Sequence, residues 1–191
     1  MIIIHSLNII KDYILYHIYL MTQFGELDVT RIRSIPEKRG GYRLSYYGNK
    51  IRVTTPIISI PFGFETYQKK EILNLLIDDD DNDKHNFIHY ITELEQYLQN
   101  PKYNMHPNYN GDINNKTFIN TLRKNNNNKN YILRINAKNS DNVDIRDKNG
   151  KLVFKHDIIH KNCKCIIELS NVWIYGDNYG LVWNLSNIIV E

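Results

Sequence analysis

Arg43, Tyr47, Lys50 and Arg52 cluster around Gly48-Asn49, and together they carry the chemistry that meets a polyanion. Lysine and arginine neutralise phosphate oxygens, and a tyrosine ring stacks on a base of any identity. Gly48-Asn49 lies between two alternating runs, Tyr42 to Tyr47 and Lys50 to Thr55, which is a two-residue hairpin signal. Such a turn sets Tyr46 opposite Ile51 and Leu44 opposite Val53 on one face. Arg43, Ser45, Tyr47, Lys50, Arg52 and Thr54 then share the other. One face suits a core and the other is basic and aromatic. The competing reading is an ordinary solvent-facing strand pair.

Three other groupings could do chemistry. Trp173 and Trp183 flank a turn of Gly176, Asp177, Asn178 and Gly180, so residues 172–190 read as an aromatic closing hairpin. Trp183 shares a face with Leu181 and Leu185 and is expected in the core. Trp173 shares a face with Tyr175. Both join the candidate binding set, although Trp173 also follows Ile167 and Leu169 in register, as a core residue would. His156, His160, Cys163 and Cys165 are potential zinc ligands, but they are too close in sequence to wrap a tetrahedral ion. Cys163 and Cys165 fit the buried face of the following strand, alongside Ile167 and Leu169. Asp78, Asp79, Asp80, Asp81 and Asp83 form an acidic run that lacks the spacing and glycine of a calcium loop. It reads as a mobile acidic loop, on the far side of a barrel or competing with phosphate for a cationic groove. There is no phosphate-cradling glycine loop, nucleophile elbow or zinc-protease motif, so neither catalysis, nor a cofactor, nor a metal is expected.

These residues need elements to position them. A chain of 191 residues can bury one sizeable core. Net charge is +3, but apart from the five clustered aspartates the balance is 24 Lys and Arg against 16 Asp and Glu, or +8. A basic body with a segregated acidic run fits a polyanion-binding face. Tyr occurs 14 times and Ala137 is the only alanine, a bias expected of an AT-rich genome such as that of a large DNA virus or a cellular parasite. Residues 1–20 are rich in Ile and Leu but are interrupted by His5, Lys11, Asp12 and His17. That argues against a membrane span and for an extra N-terminal helix, or for Met21 as the functional start. Cys163 and Cys165 share a strand face and splay, so no mutual disulfide is expected.

From Phe24 onward the chain reads as strands. Thr55-Pro56 ends one, Pro61-Phe62-Gly63 forms a further break, and Ile72 to Ile77 is a short apolar strand. Phe87, Ile91, Leu94 and Leu98 recur at helical spacing from about Asn86 to Gln99, with Asp83 or Asn82 to cap and Pro101 just beyond. Residues 100–130 are polar and read as a loop, with a short helix around Thr117 to Lys124. Tyr131, Leu133, Ile135 and Ala137 then alternate with Ile132, Arg134, Asn136 and Lys138, which places Arg134 and Lys138 on the solvent face of a half-buried strand and in the candidate binding set. Asn149-Gly150 joins Val143–Asp147 to Lys151–Lys155 as a further hairpin.

In its order of features the chain resembles the phage-type single-stranded DNA-binding proteins, found in podophages and, more divergently, in nucleocytoplasmic large DNA viruses. The resemblance lies in Thr55-Pro56 after the Tyr-Gly-Asn turn, Pro61-Phe62-Gly63, the helix Phe87 to Leu98, and the ending Val172-Trp173-Ile174 … Tyr179-Gly180-Leu181-Val182-Trp183. It covers about residues 24–190. The resemblance implies an OB-fold barrel that coats single-stranded DNA in replication, recombination and repair, without cofactor or catalysis. Phage members carry an acidic C-terminal tail. This chain ends Ile188-Ile189-Val190-Glu191, and the aspartate run is a candidate substitute.

The sequence thus reads as mainly β: an OB-fold-like barrel with one packed amphipathic helix, long loops and an extra N-terminal helix. Residues 1–22 form an apolar helical extension and residues 23–191 the single-stranded DNA-binding domain. The expected site is Arg43, Tyr47, Lys50, Arg52, Arg134, Lys138, Trp173 and Tyr175. Expected partners are single-stranded DNA, viral replication proteins and further copies of the chain, with no membrane. The expected setting is soluble, at host-cell sites of viral replication, in a cytoplasmic factory or the nucleus. The alternative is a non-catalytic virion-structural or protein-interaction β-domain.

Overall fold

The structure is a computed structural model that describes residues 28–38, 40–101, 105–125, 130–137 and 143–191. The expected N-terminal helix and the boundary after residue 22 lie outside the described residues, as does Lys138.

Alternating apolar residues build the strands. They are β1 (Ile32–Pro36), β2 (Tyr42–Tyr46), β3 (Ile51–Thr54), β4 (Ile58–Ile60), β5 (Phe64–Tyr67), β6 (Lys70–Asp78), β7 (Thr117–Ile119), β8 (Leu122–Lys124), β9 (Asn130–Asn136), β10 (Asp144–Asp147), β11 (Lys161–Tyr175) and β12 (Asn178–Val190). Two helices intervene, α1 (Asn82–Gln99) and α2 (Tyr109–Ile113).

Five strand positions close into a ring. β11 pairs with β4, β4 with β6, β6 with β9, β9 with β12, and β12 with β11. All are antiparallel except β9–β12, which is parallel. A closed five-membered barrel of this kind is OB-fold-like and leaves no open edge within the ring. β3 and β4 are two halves of one bent strand, since both pair with β11. The bend falls at Thr55-Pro56, where proline has no N–H to give the ladder. Thr55 bridges the gap: its N–H donates to the Cys165 carbonyl at 2.8 Å, and its Oγ1 accepts from the Cys165 N–H at 2.9 Å.

The inward faces form one core. Leu73, Leu75 and Ile77 of β6 meet Leu133, Ile135 and Ala137 from β9 and the residue after it. Cys163, Cys165, Ile167 and Leu169 of β11 and Leu181, Trp183 and Leu185 of β12 complete the barrel interior. Trp183 is core, as expected. Both thiols are buried beside the expected Ile167 and Leu169, and burial pushes Cys163 up to about 11.

Phe87, Ile91, Leu94 and Leu98 of α1 are all buried in the same core. The helix begins four residues earlier than the apolar spacing alone suggests, because Asp81 is its cap. The Lys84 N–H donates to the Asp81 carboxylate at 2.8 Å, and this bond holds that carboxyl below the usual range. The aspartate run is thus a helix start as well as a loop: Asp81 caps α1, Asp83 lies in its first turn, where the helix dipole favours anions, Asp80 and Asp81 pair with Lys84, and Asp79 with His85.

Other expectations are corrected. The β2–β3 turn is centred on Tyr47-Gly48, not Gly48-Asn49: Tyr46 and Asn49 exchange both backbone bonds at 2.9 Å. The left-handed φ angles fall on Tyr47 at 49° and Gly48 at 81°, as a type I′ turn requires at its two central residues. The Tyr46–Ile51 and Leu44–Val53 pairs do not form, because β2 and β3 diverge to pair in succession along β11, through Arg43↔Asn171 and Ile51↔Leu169. Residues 117–124 are not a helix. They form β7, paired with β12, and β8, paired with β9, where tertiary pairing overrides local propensity. The arm after Asn149-Gly150 makes one bridge, Arg146↔Leu152, before turning into a 3-10 helix at Lys155–Ile158, while β10 takes β12 as its parallel partner.

Candidate nucleic-acid interface

Two sectors of the barrel wall present cations beside aromatic rings. The first is the expected one. Arg43, Tyr47 and Lys50 are exposed and Arg52 is half-buried, while Tyr42, Leu44, Ile51 and Val53 point into the core. Tyr47 stands at the tip of its turn and packs edge-on against Tyr46, centroids 4.7 Å apart. Lys50 and Arg52 already share a carboxylate, however. Glu168 lies directly across from Arg52 on β11. Its Oε1 is 2.8 Å from Lys50 Nζ, and its Oε2 accepts from Arg52 Nε at 3.2 Å. Arg43 pairs with no carboxylate among the described residues.

The second sector is the outer face of β6, β8 and β9. Alternation turns Asn74 and Leu76 of β6, and Ile132, Arg134 and Asn136 of β9, away from the core. In register, Arg134 lies beside Asn74, and Arg123 of β8 and Leu76 flank Ile132. The guanidinium of Arg134 sits over the Tyr67 ring, 4.5 Å from its centroid, with Nε 3.5 Å from Asn74 Oδ1. Tyr67 closes the β5–β6 hairpin and is 48% exposed. The nearby Glu65 carboxylate accepts from Asn74 at 2.5 Å. No described carboxylate pairs with Arg134 or Arg123. A cation held on a ring rather than by an anion keeps its full charge and offers a flat surface to stack on.

Further aromatics belong to β5, the segment before it, and the segment that Lys155 brings to it. Phe62 is exposed in the segment between β4 and β5, and Lys155 Nζ lies 5.3 Å above the Phe64 ring. Phe154, 71% exposed, stacks on His156 at an interplanar angle of 8°. Lys155 also pairs with Glu71 at 3.6 Å. In OB folds the outer face of the second and third barrel strands, with the loops joining strands one to two and four to five, is where oligonucleotides bind. Here those parts are β6 and β9, residues 61–69, and the β11–β12 turn.

At that turn Tyr175 is 84% exposed. Trp173 is half-buried instead. A Cβ at its partner Gly180 would come within 3.0 Å of the indole and 2.8 Å of the Ile119 carbonyl, so the indole packs on its own hairpin. The eight expected residues are thus not one patch. Arg43, Tyr47, Lys50 and Arg52 lie on the β2–β3–β11 sector, Arg134 on the β6–β9 sector, and Trp173 and Tyr175 at the hairpin end, while Lys138 is outside the described residues. The sequence reading missed Tyr67, Arg123 and Phe62. The signal available for Phe62 was its place between Pro61 and Gly63, where a large apolar residue has no strand to bury it.

His156 and His160 are exposed while Cys163 and Cys165 face the interior, and no three metal-ligating side chains gather among the described residues. Nor, among those residues, is any helix long and apolar enough to cross a membrane.

No protein-family model and no curated protein matches the chain. It is similar in structure to gp2.5, a single-stranded DNA-binding protein encoded by bacteriophage T7, at 14% identity over 73% of this chain and 90% of that one, TM-score 0.43. It is also similar to the single-stranded DNA-binding protein of bacteriophage Enc34, at 14% identity over 83% and 89%, TM-score 0.46. With that protein in complex with single-stranded DNA, the likeness is 11% identity over 83% and 94%, TM-score 0.47.

Proposed function

We propose that this chain binds single-stranded DNA with little dependence on sequence, along the outer face of β6 and β9, and that it works by binding and not by catalysis. The observation that carries this reading is Arg134 lying on the exposed ring of Tyr67 with no described carboxylate to neutralise it. Around that pair, half-buried Leu76 and Ile132 offer apolar contact to bases and sugars, and Arg123 offers a second cation. Phe62, between β4 and β5, and Tyr175, at the β11–β12 turn, are exposed rings that can stack on bases, and Trp173 supports the hairpin that carries Tyr175. Lys138, two positions past the end of β9 in sequence, is a further candidate cation. Arg43, Tyr47, Lys50 and Arg52 form a secondary contact region.

The biological setting that suits such a protein is DNA replication, recombination and repair in a large DNA virus with an AT-rich genome, in a cytoplasmic factory or the nucleus, alongside viral replication proteins and further copies of the chain. A second reading, a virion-structural or protein-interaction β-domain, is favoured by exposed Leu152 and Phe154. Anisotropy of labelled oligo(dT) and of a mixed-sequence strand, titrated at several salt concentrations, separates the two. Single-strand binding predicts similar affinities for both strands, weaker binding to duplex, and a log–log salt slope of about −0.7 per neutralised phosphate. Absence of binding at low salt would leave the protein-interaction reading.

A further inference from the structure

Glu168 pairs with both Lys50 and Arg52 on the β3–β11 sector. Its side chain is 14% exposed, against 67% for Lys50 and 38% for Arg52. The carboxylate therefore lies beneath the two cations, which cover it and keep their outer sides open to solvent. Each oxygen takes one cation, which is also how the two non-bridging oxygens of a phosphodiester would divide them. Next along β11, past the bulge between Leu169 and Asn171, Arg43 sits opposite Asn171, and Tyr47 is exposed at the neighbouring turn.

We infer that Glu168 occupies the charge of a phosphate at a second single-strand contact, and so sets how tightly Lys50 and Arg52 can hold the DNA backbone. This rests on the reading that the chain binds single-stranded DNA. The carboxylate and a phosphate compete for the same donors. Partly exposed ion pairs are individually weak, so a phosphate can share or displace them. The consequence is a face that contributes least of its nominal charge in the parent protein and strengthens when the carboxylate is removed. Such tempering keeps a coating protein from closing too tightly on its strand, because each cation gives up one anion as it gains another.

The test is oligo(dT) binding by the full chain and by Glu168→Gln, over a salt series. The neutral side chain keeps the shape and frees both cations. Binding should tighten about three- to tenfold at low salt, and the slope should steepen by about 0.7 for each phosphate newly neutralised. The gain should vanish when Lys50→Gln and Arg52→Gln are added. Unchanged affinity and slope overturn the inference, and weaker binding does too, since Glu168 would then aim the cations and not compete for them. Should Glu168→Gln lower the melting temperature enough to lose the fold, Glu168→Ser is read in the same way. A parent that binds no single strand overturns the functional reading along with this one. A parent that binds and a Glu168→Gln protein that binds no better overturn this one alone.

Discussion

Arg52 and Arg134 are both half-buried arginines on barrel strands, and their cross-strand neighbours set them apart. Arg52 faces Glu168, which it shares with Lys50. Arg134 faces Asn74 and lies on Tyr67. A pair of cations on one carboxylate carries about one net charge between them, whereas a cation on a ring gives up none. Counting lysines and arginines along a strand therefore measures how much charge is present and not how much is available. Availability is decided by whatever residue the next strand brings alongside.

Both sectors stand on one core, so the largest effect should fall on both at once. Trp183 is 1% exposed inside β12. Trp183→Ala is expected to cost about 3–5 kcal/mol of stability by urea unfolding. A Trp183→Ala protein that melts normally yet has lost DNA binding would place the indole on the binding wall and undo the division into core and surface.

The next effect separates the sectors. Tyr67→Ala removes an exposed ring and the seat of Arg134. It is expected to weaken oligo(dT) binding by about 1–3 kcal/mol while leaving the unfolding midpoint nearly unchanged. Equal binding by this variant and the parent would move the site away from β6 and β9.

A smaller effect sharpens the contrast between carboxylates. Glu168 holds two cations, whereas Glu95 of α1 is buried and accepts from the Thr121 N–H at 2.7 Å and its hydroxyl at 2.5 Å, fixing the start of β8 that carries Arg123. Burial raises the Glu95 carboxyl above its ordinary value, despite those hydrogen bonds. The folded chain therefore keeps this proton after the unfolded chain, with an ordinary Glu value of about 4.3, has released it. Its contribution to stability falls as pH rises through that window and stays low above the folded value. Glu95→Gln keeps an oxygen for Thr121 and loses the titration. Stability measured from acid to neutral pH should show the variant gaining on the parent as pH rises. A constant difference between the two curves would mean that burial does not penalise this carboxylate.

Much of the fold was legible locally. The helix, the strand of Cys163 and Cys165, the alternation through Leu133 and Ile135, and the aromatic hairpin all follow from spacing within single segments, and Arg134 was placed on a solvent face by the same rule. What was not legible needs two segments at once. Glu168 is 116 positions from Arg52. Tyr67 and Arg134 meet only because β5 and β9 both flank β6. The turn at Tyr47-Gly48 was misplaced by one residue because either of two adjacent pairs supplies the glycine it requires. The cap falls on Asp81 and not on the expected Asp83 or Asn82, because neighbouring aspartates and asparagines share the same capping chemistry and the Lys84 N–H alone selects among them.

The most direct measurement compares salt slopes of oligo(dT) binding for the parent, Arg134→Ala and Arg52→Ala. If the β6–β9 face is the primary site, Arg134→Ala should flatten the slope by about 0.7, the loss of one phosphate contact. Arg52→Ala should change it by less, because its charge is already shared with Glu168. Equal slopes for the parent and Arg134→Ala, with the larger change in Arg52→Ala, would contradict the assignment and return the site to the β2–β3 face.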